Sequence, residues 1–260
     1  MNDVEIEEFC LLAQKTATQA GRLLETNRTT EFDISKKGRI NLVTEMDLRS
    51  EKLIVESILA KFPDHQILAE EKGVLGGKGP VRWIIDPLDG TTNYAHGYRF
   101  YCVSIGIEVR GTVVAGTVYD PVTEECFWAI KNHGAYLNER RIQVSSETVL
   151  GDSLVSTGFS YDESQITANL EHFSRVIYET RAIRRDGAAA LDLCYVACGR
   201  FDGFWELTLH PWDVAAGLLI VQEAGGSITR LDGSPCDIDD QEFLATNGKI
   251  HSALSRLLSR

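Results

Sequence analysis

Apolar positions recur at helical spacing from Asp3 to about Asn27: Phe9, Leu12, Ala13, Thr16, Ala20, Leu23 and Leu24. That spacing predicts an amphipathic helix, and Glu5, Glu7 and Glu8 sit in its first turn, where the helix dipole favours anions. A second helix is predicted after Asn41-Leu42-Val43-Thr44, with Thr44 as N-cap and an end near Phe62-Pro63. Between them, Thr29 to Arg39 is polar, contains Lys36, Lys37 and Gly38, and reads as a loop or hairpin. The period then changes. Gln66 to Ala69 and Trp83 to Ile85 are short apolar runs of the kind that form buried strands, and the Gly- and Lys-rich segment Lys72 to Pro80 reads as a flexible loop. Tyr101 to Val109, Thr112 to Asp120 and Glu125 to Ile130 form a predicted meander. Arg110-Gly111 and Asp120-Pro121-Val122-Thr123 supply its turns, and short strands continue from His133-Gly134 to Gln143.

After about residue 145 the pattern alternates. Strands are predicted at Ser153–Thr157, Arg181–Ile183, Phe201–Trp205 (ending in Glu206), Ser227–Thr229 and Phe243–Ala245. Helices are predicted at Thr167–Tyr178, Ala189 to about Cys198, Asp213–Glu223 and Lys249–Leu258, with Ala224-Gly225-Gly226 stopping the third. Two helices followed by an antiparallel sheet, then strand–helix alternation, give an α/β (α+β) fold class. Residues 1–145 form an expected N-terminal α+β lobe and residues 146–260 an α/β lobe with a mixed or partly parallel sheet.

Composition narrows the function. The 260-residue chain is long enough for a large core, and its net charge of −12 argues against generic binding to nucleic acid or an anionic membrane. Met1 to Glu8 is acidic and no apolar run reaches membrane-spanning length, so neither a signal peptide nor a membrane anchor is expected. The six cysteines contain no Cys-x-x-Cys pair, which disfavours structural zinc and suits buried thiols in a reducing cytoplasm.

The chemistry concentrates in Trp83-Ile84-Ile85-Asp86-Pro87-Leu88-Asp89-Gly90-Thr91-Thr92-Asn93. An apolar strand ends at two carboxylates, and because Pro87 cannot continue a ladder the strand is expected to stop at Asp86. Two acids held close repel unless a cation sits between them or one is protonated. A hard divalent ion with oxygen ligands satisfies both, and the backbone N–H groups and hydroxyls of Gly90-Thr91-Thr92 suit a phosphate. An Asx-type turn explains the same residues without function. Glu70-Glu71 repeats the arrangement of acids after an apolar run. Asp47, three residues after the Thr44 cap, and Asp213, at the entry of a helix, are each, taken alone, accounted for by helix capping more readily than by a site. No Gly-x-Ser-x-Gly elbow, Walker loop or Gly-x-Gly-x-x-Gly is present. An oxygen-rich acidic site without a protein nucleophile points to metal-assisted hydrolysis by water.

These motifs, with Trp212-Asp213-Val214-Ala215-Ala216-Gly217 and Gly187-Ala188-Ala189, occur in an order and spacing that resembles the inositol monophosphatase family of magnesium-dependent, lithium-sensitive sugar phosphatases. The resemblance covers nearly the whole chain and implies a layered α-β-α-β-α sandwich, usually a homodimer. It implies that Glu70, Asp86, the Leu88 carbonyl, Asp89 and Asp213 ligate two or three Mg²⁺ ions. Asp47 and Thr91, with Glu70, would form the catalytic set that orients or deprotonates water. Gly90 and Thr91 would hold phosphate, and Asp89, Gly187, Ala188, Ala189, Glu206 and Asp213 would line the hydroxyls of a small sugar or polyol phosphate. Ala188 stands where many animal members carry a hydroxyl residue, and Thr92 stands where nucleotide-phosphate phosphatases usually carry lysine. Fructose-1,6-bisphosphatase activity and a regulatory binding role on the same fold are the alternative expectations.

Overall fold

The computed structural model describes residues 3–28, 34–36, 42–159 and 163–259. Asn41 and most of the polar 29–39 segment lie outside the described residues. The chain begins with α1 (Asp3–Asn27), β1 (Ile34–Lys36), β2 (Leu42–Thr44) and α2 (Glu45–Lys61). Next come β3 (Gln66–Ala69), β4 (Gly73–Gly76), β5 (Val81–Asp89), α3 (Thr91–Ala95), β6 (Cys102–Val109), β7 (Thr112–Asp120), β8 (Glu125–Ile130), β9 (Gly134–Leu137) and β10 (Arg140–Ile142). The remainder is β11 (Leu154–Thr157), α4 (Ile166–Ile177), β12 (Ala182–Arg184), α5 (Ala189–Ala197), β13 (Gly203–Leu207), α6 (Pro211–Glu223), β14 (Ser227–Thr229), β15 (Glu242–Thr246) and α7 (His251–Leu258).

An eight-stranded sheet runs β10-β9-β8-β7-β6-β5-β3-β4 and a five-stranded sheet runs β12-β11-β13-β15-β14. Helices α1 and α2 cover one face of the larger sheet, with Phe9, Ala13, Ala17, Leu24, Ile54 and Ile58 buried against Trp83, Ile85 and Ile105. On its other face α5 and α6 fill the space between the sheets, where Leu191, Val214 and Leu219 share a core with Phe204 of β13. Beyond the smaller sheet, Trp205 and Leu244 pack with Val176 of α4 and Leu254 of α7. The order is therefore α-β-α-β-α, each helix layer burying the apolar faces beside it.

Three expectations are corrected. The larger sheet is mixed, because β3 pairs parallel with β5 while β4 returns antiparallel on its outer edge. Gly73 to Gly76 is that edge strand and not a flexible loop. Backbone pairing with β3 needs no side chains, and an edge position tolerates glycine where a central one would not. The third concerns Asp86: β5 runs on to Asp89, with its register shifted between those two residues. Asp86 faces Ser104 and Asp89 faces Cys102, so Pro87 and Leu88 stand opposite the single Val103. Such a bulge accommodates the missing proline N–H. It also changes direction: three residues apart in a regular strand, Asp86 and Asp89 would point to opposite faces, and the extra residue returns them to one.

Helix α6 lies unusually close to the larger sheet. A methyl group placed on Gly116 would sit 2.8 Å from the Ala216 Cα and 3.0 Å from its carbonyl oxygen. Gly116→Ala is therefore expected to push α6 off β7 and destabilise the protein by about 1–3 kcal/mol, the usual size of an overpacking penalty. Urea unfolding with an unchanged m-value checks this; an unchanged midpoint contradicts the close approach.

Candidate active site

Asp86 and Asp89 leave the β5 bulge on the side of a cavity of about 370 Å³. Glu70, Leu88, Gly90, Thr91, Gly187, Ala189, Glu206 and Asp213 also line it. The structure thus brings together, from five separated segments, nearly every residue singled out in the sequence. Glu70 follows β3 and is placed by its N–H, which donates to the Ile85 carbonyl at 3.1 Å, one residue before Asp86. Asp213 stands at the third position of α6 and not at its cap. His210 is the N-cap, and its N–H donates to Asp213 Oδ2 at 2.6 Å. Glu206 lies within β13, not at its end, and half-buried. A Cβ on Gly158 would fall 2.0 Å from its Oε1, so only glycine lets this carboxyl lie across β11's end.

Asp47 does not line the cavity. It is fully buried at the start of α2, where its Oδ2 accepts the Thr44 N–H at 2.7 Å. Its other oxygen, Oδ1, accepts the hydroxyl of cavity-lining Thr91 at 2.8 Å. Capping and site geometry are therefore not alternatives here: each takes one oxygen. Ala188, expected among the substrate contacts, is buried and does not line the cavity. It occupies the N-cap of α5, which turns its methyl group into the protein, and the neighbouring Gly187 and Ala189 form the wall instead.

Asp89 has a second engagement that no local pattern reveals. Its Oδ2 accepts the Ala190 N–H at 2.7 Å, supplying the first turn of α5 with the side-chain cap that Ala188 cannot. Asn93 is another residue whose role its neighbours in sequence do not announce. Its Nδ2 donates to the Phe100 and Asp186 carbonyls, both at 2.7 Å, tying the segment after Thr91 to the loop that carries Gly187. Arg185 and His210 also line the cavity, and the arginine brings positive charge to an acidic wall. The one clue to it in the sequence is Arg185-Asp186 directly before a Gly-Ala run.

The carboxyls titrate abnormally. Burial, with Glu70, Asp89 and Asp213 around it, holds Asp86 well above the usual carboxylate range. Burial does the same to Asp213, against the His210 N–H that favours its charge. It pushes Asp89 up to about 6, opposed by the Ala190 N–H. Glu206 rises to about 8, again by burial, with Arg185 pulling it down. Asp47 is raised by burial and partly restrained by its Thr44 and Thr91 bonds.

Among the described residues no three acidic, histidine or cysteine side chains converge into a cage that would hold a metal ion unaided. Mg²⁺ does not require such a cage. It keeps several waters and takes one or two carboxylates plus substrate phosphate, whereas a structural zinc wants four close protein ligands. The donors are all oxygen, and their mutual repulsion is what a hard cation relieves, so the residues fit the group. The six cysteines are free, three buried and three partly so. No described helix is long and apolar enough to cross a membrane.

A profile of the inositol monophosphatase family matches residues 5–260. The chain is 49% identical over 229 residues to the inositol-1-monophosphatase of Synechocystis sp., covering 87% of this chain and 80% of that protein. It is 40% identical over 252 residues to the Nus factor SuhB of Pseudomonas aeruginosa, covering 94% and 93%. The solved inositol monophosphatase from Anabaena superposes with a TM-score of 0.89 at 43% identity, over 98% of this chain and 96% of that one.

Proposed function

The chain belongs to the inositol monophosphatase family, and from that premise we propose that it is a Mg²⁺-dependent phosphomonoesterase that hydrolyses inositol monophosphate or a similar polyol phosphate. The observation that carries this reading is the meeting of Glu70, Asp86, Asp89 and Asp213 in one cavity beside Thr91 and Asp47. Glu70, Asp86, Asp89, Asp213 and the Leu88 carbonyl would hold two or three Mg²⁺ ions. When bound, such ions neutralise phosphoryl oxygens, make water more acidic and steady the leaving alkoxide.

The protein's own groups supply the rest. The Thr91 hydroxyl donates to Asp47, which leaves its oxygen as an acceptor on the cavity side. An attacking water would give a hydrogen bond to Thr91 while the threonine proton moves towards Asp47. Burial raises the proton affinity of the Asp47 carboxylate above its ordinary value, which strengthens it as the acceptor of that proton. Gly90 and Thr91 would hold the phosphate. Glu206, Gly187, Ala189, Asp89 and Asp213 would face the hydroxyls of the alcohol, and Ala188 would act only by shaping the turn. Glu206, inclined to stay protonated, can donate as well as accept, which fits a polyol better than a second phosphate.

The reading includes lithium sensitivity and a homodimer, supported by family resemblance. It also includes a cytoplasmic setting, supported by the six unpaired cysteines, and a division into lobes near residue 145, supported by the change of sequence pattern there. A phosphate-release panel tests the substrate: inositol monophosphate, fructose 1,6-bisphosphate and other sugar phosphates, each with and without Mg²⁺. Turnover of inositol monophosphate only with Mg²⁺ is expected. Preference for the bisphosphate would move the assignment to fructose-1,6-bisphosphatase. A second reading, regulation through binding, draws on the SuhB relative. It predicts a cellular role that survives loss of hydrolysis.

A further inference from the structure

Helix α2 carries an anomaly. Its buried stripe contains Met46, Ile54, Val55 and Ile58, as an amphipathic helix requires, but also Asp47, Ser50 and Glu51. Ser50 and Glu51 are each fully buried. Polar residues at core-facing helix positions are costly unless bonded, and departures of that kind cluster where function demands them. Asp47 already has a partner at the cavity in Thr91. The other two follow it at i+3 and i+4, on the same face.

Their bonds lead to the two segments that carry the acids. The Ser50 hydroxyl donates to the Pro87 carbonyl at 2.7 Å, inside the β5 bulge between Asp86 and Asp89. Pro87 and Leu88 stand outside the regular pairing with β6 at that point, so this bond anchors the bulge from the opposite side. Glu51 Oε2 accepts the Glu71 N–H at 2.9 Å and the Lys72 N–H at 3.3 Å. Those are the residues immediately after Glu70, in the turn between β3 and β4. The Lys72 ammonium lies 3.6 Å from Glu51 Oε1 and compensates the buried charge. Glu70 is thus clamped from both sides, its own N–H on Ile85 and the next two on Glu51.

We infer that Ser50 and Glu51 are positioning residues that fix the spacing between Glu70 and the Asp86–Asp89 bulge, so that one face of α2 aligns the acidic wall. The inference rests on the proposed metal-dependent reading of that wall. Neither residue touches the cavity. Glu51 sets where Glu70 stands, Ser50 sets where Asp86 and Asp89 stand, and both refer to the same rigid helix. A carboxylate is the suitable group at position 51 because it accepts two adjacent N–H groups at once, which a hydroxyl cannot reach and an alkyl chain cannot do.

The test uses the full chain with Glu51→Ala, Glu51→Gln and Ser50→Ala. Mg²⁺ binding is measured by calorimetry without substrate, alongside amide exchange at residues 71 and 72, thermal midpoint, and KM and kcat for inositol monophosphate. Glu51→Ala is expected to weaken Mg²⁺ binding about 10- to 100-fold, the range for residues that orient ligands from behind. It should also expose the two amides to exchange, with KM at saturating Mg²⁺ close to wild type. Glu51→Gln keeps an acceptor oxygen and should recover much of the affinity. Ser50→Ala should weaken Mg²⁺ binding severalfold at a near-normal thermal midpoint. Should Glu51→Ala fail to fold, the other two variants decide. Wild-type Mg²⁺ affinity in both Ser50→Ala and Glu51→Gln, or in a folded Glu51→Ala, overturns the inference. A wild-type protein that binds no Mg²⁺ overturns the metal reading itself, and this inference with it.

Discussion

Replacing Asp89 by asparagine is expected to abolish phosphate release while the protein stays folded. The substitution separates two duties of one side chain. Asparagine's Oδ1 can still accept the Ala190 N–H, so the start of α5 keeps the cap that it receives from β5. What disappears is the charge at the centre of the acidic wall. Removing one charge-stabilising group from an active site costs about 10²–10³ in rate, and a lost metal ligand should reach or exceed the upper figure. Phosphate release over a wide Mg²⁺ range, with circular dichroism as the check on folding, measures both duties. Near-normal turnover would contradict the assignment of Asp89 to the metal. Loss of the folded spectrum would instead mean that its hold on α5 requires charge.

The second large effect couples pH, Mg²⁺ and stability. Burial raises Glu206 from its ordinary range to about 8 and Asp89 to about 6, and Asp86 and Asp213 move the same way. A carboxyl with a raised pKa holds its proton more tightly when folded than when unfolded. Its contribution to stability is then complete below the unfolded pKa and is lost as pH climbs through the folded one. For Glu206 and Asp89 that window runs from about pH 4 to about pH 8. Without Mg²⁺ the thermal midpoint should therefore fall by several degrees across it. A tenfold change in proton affinity on folding corresponds to about 1.4 kcal/mol, and each kcal/mol to about 2–4 °C in a chain of this size. Mg²⁺ held by these carboxylates, as proposed, would offset the repulsion, so it should raise the midpoint more at pH 8 than at pH 6 and release protons on binding near pH 7. Thermal unfolding at several pH values, with and without Mg²⁺, reads this directly. A Mg²⁺ stabilisation that shrinks with rising pH would contradict it.

Much of the fold was legible because period and burial coincide. The first helix, α2 with its Thr44 cap, and the β6-β7-β8 meander follow from apolar spacing and turn residues, and Arg110-Gly111 makes the expected turn with φ of 50° and 78°. The failures have a common cause in tertiary context. Pro87 signals the end of a strand, but β6 supplies enough pairing on either side for β5 to cross it as a bulge. Glycines at 73 and 76 signal a loop, but β3 needs only their backbone. Within the site, Glu70, Asp86 and Asp89 were legible as apolar runs ending in carboxylates, whereas Asp47 and Asp213 read locally as helix caps and joined them only through the family resemblance. The Asp89–Ala190 bond joins residues 101 positions apart and leaves no local trace. Ser50 and Glu51 did leave one, as polar residues on the apolar face of a helix already carrying Asp47. Nothing in the 185–189 segment told that Ala188 turns inward while its neighbours face the cavity.

The placement of α6 between the two sheets has a bearing on how the protein comes to life. Asp213 reaches the cavity only because this helix is packed on β6 and β7, while Glu206 arrives from the smaller sheet beyond it. Helix formation and the local β-meander need only short loops to close, and they can precede that packing. The acidic wall cannot. Its members are drawn from residues 70 to 213, so it is assembled by contacts of very long range along the chain. During refolding the far-ultraviolet signal should recover first and hydrolysis last. The onset of hydrolysis would then time the moment at which the distant parts of the chain close on one another.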